Sequence, residues 1–219
     1  MRELRGGSFR EFYAALPWRY KLYVNLRLSS CPFEKIEKAV PAAGRILDLG
    51  CGVGLFSFFL ASGSKQRDIL GVDCRRERIL LARKINAERG SAGIDFRHAD
   101  IVSWEYGSDY DCILLSDVLY QLPLADKKKV LKKSFSALSS TGVLVVKEVE
   151  LGPSLKMLWC YLQECFMARI AGLNTRRVEA MSANGLCAII REAGFRVRSE
   201  KIDQGYAYPH ILCVGRKDG

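Results

Sequence analysis

Three glycines and a chain of acids that follow apolar runs carry most of the chemical signal in this sequence. The stretch Ile46-Leu47-Asp48-Leu49-Gly50-Cys51-Gly52-Val53-Gly54 reads as a buried strand that runs into a glycine-rich turn and opens a helix. Glycine supplies positive φ and has no side chain, so the backbone at Gly50, Gly52 and Gly54 can touch a ligand while its N–H groups point at a carboxylate or phosphate. A nucleotide-like molecule can lie against such a turn. Spacing sorts the candidates: a dinucleotide fingerprint is G-x-G-x-x-G, but its third glycine position here is Leu55, and the glycine stands one residue earlier at Gly54.

With Asp48 in front, the pattern is D-x-G-x-G-x-G, and it resembles the class I S-adenosylmethionine-dependent methyltransferases, particularly those of small molecules. The resemblance covers about residues 40 to 150 firmly and the tail more loosely. It implies a Rossmann-like, doubly wound α/β fold with a seven-stranded sheet, mostly parallel with the last strand antiparallel, and helices on both faces. It implies S-adenosyl-L-methionine as the cofactor, with Gly50, Cys51, Gly52 and Gly54 as its cradle and Asp48 fixing the turn or meeting the cofactor's ammonium group. Asp73, followed by Cys74, closes Ile69-Leu70-Gly71-Val72-Asp73 and takes the ribose hydroxyls; its alternative is a helix N-cap. Asp100 takes the adenine amino group with the backbone of Ile101 beside it, and Ser116 and Asp117 border the methionine part.

Ser116-Asp117-Val118-Leu119-Tyr120-Gln121-Leu122-Pro123 is similar to the D-V-L-x-H-L-P stretch of small-molecule methyltransferases, but Gln121 stands where relatives often have histidine, so no imidazole base sits there. A nucleic-acid amino-methyltransferase would show D/N-P-P-Y/F at this place; without that run or a Pro-Cys pair, nucleic acid is an unlikely substrate. Methyl transfer from a sulfonium needs alignment and exclusion of water, and a base is optional. Should a base act on a hydroxyl acceptor, the imidazoles are His98 and His210, each readable as a satisfied strand-end histidine. Lys147 and Glu148 at the end of an apolar run, and Tyr206 and Tyr208 near the C-terminus, complete the catalytic candidates.

These residues need a parallel sheet to bring them together. Strand and helix patterns alternate: strands at Arg45–Leu49, Asp68–Val72, Gly93–His98, Tyr110–Leu115 and Gly142–Val149; helices from Val53, over Arg75–Arg89 with Ile79, Leu80, Ala82 and Ile85 inward, and over Ala125–Leu138. Ser182-Ala183-Asn184-Gly185 opens a helix to Ala193, and the segments starting at Gly194 and His210 suit a closing antiparallel hairpin. In open parallel sheets ligands bind beyond the carboxyl ends of the strands, where the strand order reverses.

A chain of 219 residues, 49% hydrophobic, can bury one sizeable core. The expected organisation is an N-terminal helical cap over 1–40 and a cofactor-binding domain over 41–219, with an apolar helical lid inserted at 151–178. Tyr20 and Tyr23 of the cap, Tyr120, and Trp159 of the lid are the substrate-binding candidates, for a small acceptor that is apolar, aromatic or lipid-like. The formal charge of +10 is concentrated outside the middle: residues 1 to 30 hold six Lys/Arg against two acids, and residues 151 to 219 hold ten against six. Such a balance suits a solvated basic face or a peripheral contact with an anionic membrane. Eight scattered cysteines without a C-x-x-C pair argue against disulfides and zinc, and the polar N-terminus points to a cytoplasmic protein. Two rival readings remain open at this point: an NAD(P) oxidoreductase, opposed by Leu55 and by the lack of a Y-x-x-x-K pair, and a scaffold that binds the cofactor without turnover.

Overall fold

The computed structural model describes residues 13, 16–150, 179, 181–206 and 208–217. Seven described strands form one sheet: β1 Gly44–Leu49, β2 Arg67–Asp73, β3 Ile94–His98, β4 Tyr110–Ser116, β5 Leu138–Val149, β6 Phe195–Lys201 and β7 His210–Lys217. Their order is β3-β2-β1-β4-β5-β7-β6. β1 to β5 run parallel, and β7 is antiparallel to both of its neighbours. The expected seven-stranded Rossmann-like sheet with an antiparallel last strand is the fold observed. The chain leaves β1 toward β2 and β3, then returns to lay β4 on the other side of β1, so the strand order reverses between β1 and β4.

The helices are α1 Trp18–Ser30, α2 Phe33–Glu37, α3 Leu55–Gly63, α4 Arg76–Arg89, α5 Leu124–Ala137 and α6 Ala183–Glu192. Side chains alternate across a strand, and the alternation splits the core in two. Ile46, Ile69, Phe96, Leu114, Val145 and Leu212 pack with α1 to α4. Leu47, Val72, Ile113, Leu115, Val146 and Ile211 pack with α5 and α6 on the opposite face. Because β1, β4 and β5 are covered on both faces, they read as unbroken apolar runs.

Two local expectations change. Leu80 of α4 is 53% exposed, since the inward stripe is Ile79, Ala82 and Ile85 and Leu80 falls to its side. Strand β5 begins at Leu138, where Tyr110 of β4 pairs with it before an irregularity in the ladder, so the helix ends one residue earlier and the strand starts four residues sooner than the apolar run alone suggests. The expected lid at 151–178, including Trp159, lies outside the described residues. No helix among the described residues is long and apolar enough to cross a membrane.

Candidate active site

The glycine turn sits where the strand order reverses. Gly50, Gly52 and Gly54 have φ of 78°, 60° and 78°, the left-handed region that side chains rarely adopt. The three glycines serve different ends. A Cβ on Gly50 would lie 2.4 Å from Val118 Cγ2, and one on Gly54 2.6 Å from Phe96 Cζ, so these two let the turn pack against the β4 loop and β3. Among the described residues, a Cβ on Gly52 would meet nothing within 4 Å. Gly52 is itself buried, yet it has room beside its backbone among the described residues, the property needed for close approach of a ligand.

Acids fix this turn from beneath. Asp73 Oδ2 accepts the Gly52 N–H (3.0 Å) and Oδ1 accepts the Arg75 N–H (2.8 Å), with Arg78 Nη1 3.9 Å away. Asp73 thus joins the ends of β1 and β2, and it holds the backbone of Arg75, the residue that caps α4, without being the cap itself. Asp48 is buried and accepts the Ser57 hydroxyl at 2.6 Å, tying β1 to α3. Burial raises its pKa to about 6, with the Ser57 bond opposing and Asp73 adding to the rise. Cys51 is half-buried, and burial, then Asp48 and Asp73, push its thiol well up, so it remains a thiol beside the turn. Asp100 Oδ1 accepts the Val102 N–H (2.9 Å) and so shapes the exposed loop after β3, while the buried Ile101 gives its carbonyl to Tyr106 Oη at 2.6 Å. Cys74 is exposed, and its carbonyl accepts from His98 Nε2 at 3.0 Å, which makes His98 a satisfied strand-end histidine.

Across the switch point, Asp117 follows β4 with φ of 57°, a left-handed conformation unusual outside glycine. That turn points its carboxylate at α1 and β5. Lys147 Nζ donates to both oxygens (2.8 and 2.6 Å), and Arg27 Nη1 of α1 donates to Oδ2 as well. Burial alone would raise the Asp117 pKa, but Arg27 and Lys147 hold it well below the usual carboxylate range. Burial would likewise lower the Arg27 pKa, and Asp117 reverses this.

His210 opens β7 on the same face and at the same edge, opposite Val149 of β5. Its Nε2 lies 2.6 Å from the Ser30 carbonyl, which can only accept, so Nε2 carries the proton. Burial, then Lys147, push the ring down to about 4, so it is neutral at physiological pH. Among the described residues Nδ1 is then a lone pair with no partner, and the Ser116 hydroxyl, one position before Asp117, likewise has none. The His210 ring stacks on Tyr208 (centroids 5.8 Å apart, 18°) and meets Tyr206 edge-on at 6.0 Å.

Glu148 belongs to the other face. Its neighbour Lys147 points to α1, and alternation turns Glu148 toward α5 and α6, where Oε1 accepts the N–H groups of Val118 (3.0 Å) and Leu119 (2.7 Å). Tyr120 lines the same small cavity with Glu148, Lys127 and Leu186. Glu148 therefore braces the β4 loop from behind, and the structure does not bring Glu148 or Tyr120 together with His210. Of the cap tyrosines, Tyr20 is buried with Arg19 stacked over its ring at 5.1 Å, and Tyr23 is half-buried on the same side of the sheet as the glycine turn.

Arg27 escaped the motif reading because it stands 90 residues from Asp117. A signal was present: Tyr20, Val24 and Arg27 share one helical stripe, and a cation within an otherwise buried stripe needs an anionic partner.

The comparisons agree with this geometry. A family model described as a methyltransferase domain matches residues 42–194. A ubiquinone biosynthesis O-methyltransferase of Ruegeria sp. (strain TM1040) is 25% identical over 208 residues, covering 94% of this chain and 81% of that protein. A carboxy-S-adenosyl-L-methionine synthase of Campylobacter hominis is 25% identical over 115 residues, covering 52% of this chain and 48% of that protein. The structure of human N-acetylserotonin methyltransferase in complex with SAM superposes with a TM-score of 0.70 at 18% identity, covering 96% of this chain and 59% of that one. The room beside Gly52 and the Ser116 Oγ, which has no partner among the described residues, suit a polar, adenosyl-bearing ligand at the switch point. The chain belongs to the methyltransferase domain family and is a class I S-adenosylmethionine-dependent methyltransferase.

Proposed function

We propose that the enzyme methylates a hydroxyl oxygen of a small aromatic or lipid-like molecule. The observation that carries this reading is the buried lone pair of His210 Nδ1 at the active edge, flanked by two tyrosine rings. S-adenosylmethionine supplies a methyl group on a sulfonium, whose departure as a neutral thioether needs no acid. Gly50, Cys51, Gly52 and Gly54 would hold it, with Asp48, Asp73, Cys74, Asp100, Ile101, Ser116 and Asp117 around them.

In this reading His210 Nδ1 accepts the proton of the acceptor hydroxyl. A nitrogen with a pKa near 4 does not ionise a phenol in advance. As the oxygen gains its new bond to carbon it becomes strongly acidic, and even a weak base that is positioned and dry accepts its proton. The tautomer is set for that role by Ser30, which occupies Nε2 and leaves Nδ1 to receive. Tyr206 and Tyr208 hold the ring from two sides, and their flat faces suit an aromatic acceptor. The name of the Ruegeria relative, an O-methyltransferase, supports an oxygen nucleophile.

A labelled-methyl transfer screen against phenols, lipid extract, protein and transfer RNA tests the reading. Label in phenols or in the lipid extract is expected, with His210→Gln lowering the rate at least tenfold. Label confined to protein or RNA would overturn it. The same reading makes it a cytoplasmic enzyme with peripheral membrane contact, and co-sedimentation with anionic vesicles measures that contact.

A further inference from the structure

One of the two tyrosines beside His210 stands on a turn that is held from the other end of the chain. Helix α2 has five residues, too few to persist in water without packing. Burial fixes it: Phe33 and Ile36 are enclosed, and the Phe33 ring lies against Phe56 and Phe59 of α3 at 5.2 and 5.3 Å. Because α3 opens at the glycine turn, α2 rests on the cofactor half of the site. Lys35 of α2 is half-buried and reaches across to the chain that follows β6.

Lys35 Nζ donates to the carbonyls of Ile202 and Gln204, each at 3.2 Å, and stands over the Tyr206 ring, 5.6 Å from its centre. Both carbonyls lie just past the last ladder pair of β6 and β7, Lys201 with Ile211. There the Ile202 N–H donates to the His210 carbonyl, and the Tyr206 N–H closes a turn on the Asp203 carbonyl, with Gly205 at a φ of 87° inside it. Hydrogen bonds from an ammonium are roughly twice as strong as neutral ones, and an aromatic face attracts the same cation. A single side chain therefore fixes where the turn sits relative to α2. The turn in turn carries Tyr206 to its edge-on contact with His210 at 6.0 Å.

We propose that Lys35 is a positioning residue for the acceptor: it clamps the turn at 202–206 to α2 and so sets Tyr206 as a wall of the acceptor pocket beside His210. Lys35 acts through Tyr206 and does not itself touch the acceptor. The role rests on the reading above, in which an aromatic hydroxyl meets His210 between the tyrosines, and it gives α2, within the expected cap, a part in acceptor choice.

Lys35→Met keeps the apolar stem and removes the donors and the charge, and Lys35→Arg restores both. Amide exchange is followed residue by residue by NMR in the full chain. Methyl transfer is measured with S-adenosylmethionine and whichever of phenol, catechol and naphthol the wild-type chain methylates fastest. In Lys35→Met, exchange at Ile202 and Tyr206 is expected to quicken at least tenfold while β1 and β4 keep their rates. The acceptor KM is expected to rise at least fivefold with the S-adenosylmethionine KM within twofold of wild type, and Lys35→Arg returns both effects most of the way. Unchanged exchange at the two amides overturns the clamp without reference to any acceptor. Faster exchange with an unchanged acceptor KM overturns the positioning role, as does an equal rise in both KM values, which marks a general loss of structure. Lys35→Arg as impaired as Lys35→Met would overturn the part given to the charge. Methylation of none of the three phenols by the wild-type chain strikes the aromatic-acceptor reading itself, and the tyrosine wall with it, whatever the exchange shows.

Discussion

At the scale of single residues, the site is built from carboxyl groups whose surroundings drive them apart. Asp73 stays engaged with backbone N–H groups at the end of β2, so Asp73→Ala removes one hydrogen bond to the glycine turn and one to Arg75 ahead of α4, as well as the proposed acceptor for a ligand's hydroxyls. The variant is expected to bind S-adenosylhomocysteine at least tenfold more weakly, about 1.4 kcal/mol, and to lose about 1–2 kcal/mol of stability. Calorimetry and urea melts measure both, and unchanged affinity would end the assignment. Glu148 is the opposite case, pushed up to about 8 from an ordinary 4.5 by burial and by Asp117. The folded protein keeps a proton that the unfolded chain has released, so this contribution is complete below pH 4.5 and is lost as pH rises toward 8. His210 works in the other sense: lowered to about 4 from 6.5, it stabilises above pH 6.5, and that contribution is lost as pH falls toward 4. Asp48, raised to about 6 from 3.8, loses its contribution between those values as pH rises. Above pH 6.5 only Glu148 of the three still titrates differently in the two states. Stability should therefore fall by on the order of 1 kcal/mol per pH unit between 6.5 and 8, and Glu148→Gln should flatten that slope in denaturant melts taken across the range.

At the scale of elements, the glycine turn shows how much was readable beforehand. Gly50, Gly52 and Gly54 need left-handed backbone for local reasons, and so does the strand-to-helix turn around them; local requirements leave local spacing. The strand ends Asp73 and Ser116-Asp117 were legible for the same reason, since each closes an apolar run. Spacing did not reveal that the glycines divide their tasks, because the β4 loop and Phe96 that press on Gly50 and Gly54 arrive from elsewhere in the chain. This division predicts a contrast. Gly50→Ala must displace Val118 and also strain φ, and should cost about 2–4 kcal/mol in stability. Gly52→Ala meets only the backbone strain, about 1 kcal/mol. Its methyl group, however, projects where a ligand would touch the turn, so its S-adenosylhomocysteine affinity should drop at least tenfold. If Gly52→Ala binds as tightly as the parent, the ligand does not lie against this turn.

At the scale of the whole molecule, the function depends on contacts that sequence proximity hides. Arg27 and Asp117 are 90 residues apart, and His210 and Ser30 are 180 apart. Each joins α1 to the active edge, and no local pattern announces either pairing. Alternation along β5 does announce that Lys147 and Glu148 face opposite ways, but only the packing of α1 on one side and α5 and α6 on the other says which face carries the chemistry. In the assembled molecule α1 is tied at several places: Arg19 to Glu77 of α4, Arg27 to Asp117, and the Ser30 carbonyl to His210. Tyr13, ahead of it, packs edge-on against Phe58 of α3 at 6.4 Å. Helix α1 therefore spans the opening between the helices that follow β1 and β2 and the strands β5 and β7. A ligand bound beneath it stabilises the closed arrangement by mass action, because it binds the assembled edge and not the separated one. Saturating S-adenosylhomocysteine should accordingly slow amide exchange in residues 18–30, 50–54 and 116–122, while α5 and α6, packed on the far face, change little. Uniform protection across both faces would mean that the ligand only raises global stability, and α1 would then be a fixed part of the core instead of a cover over the site.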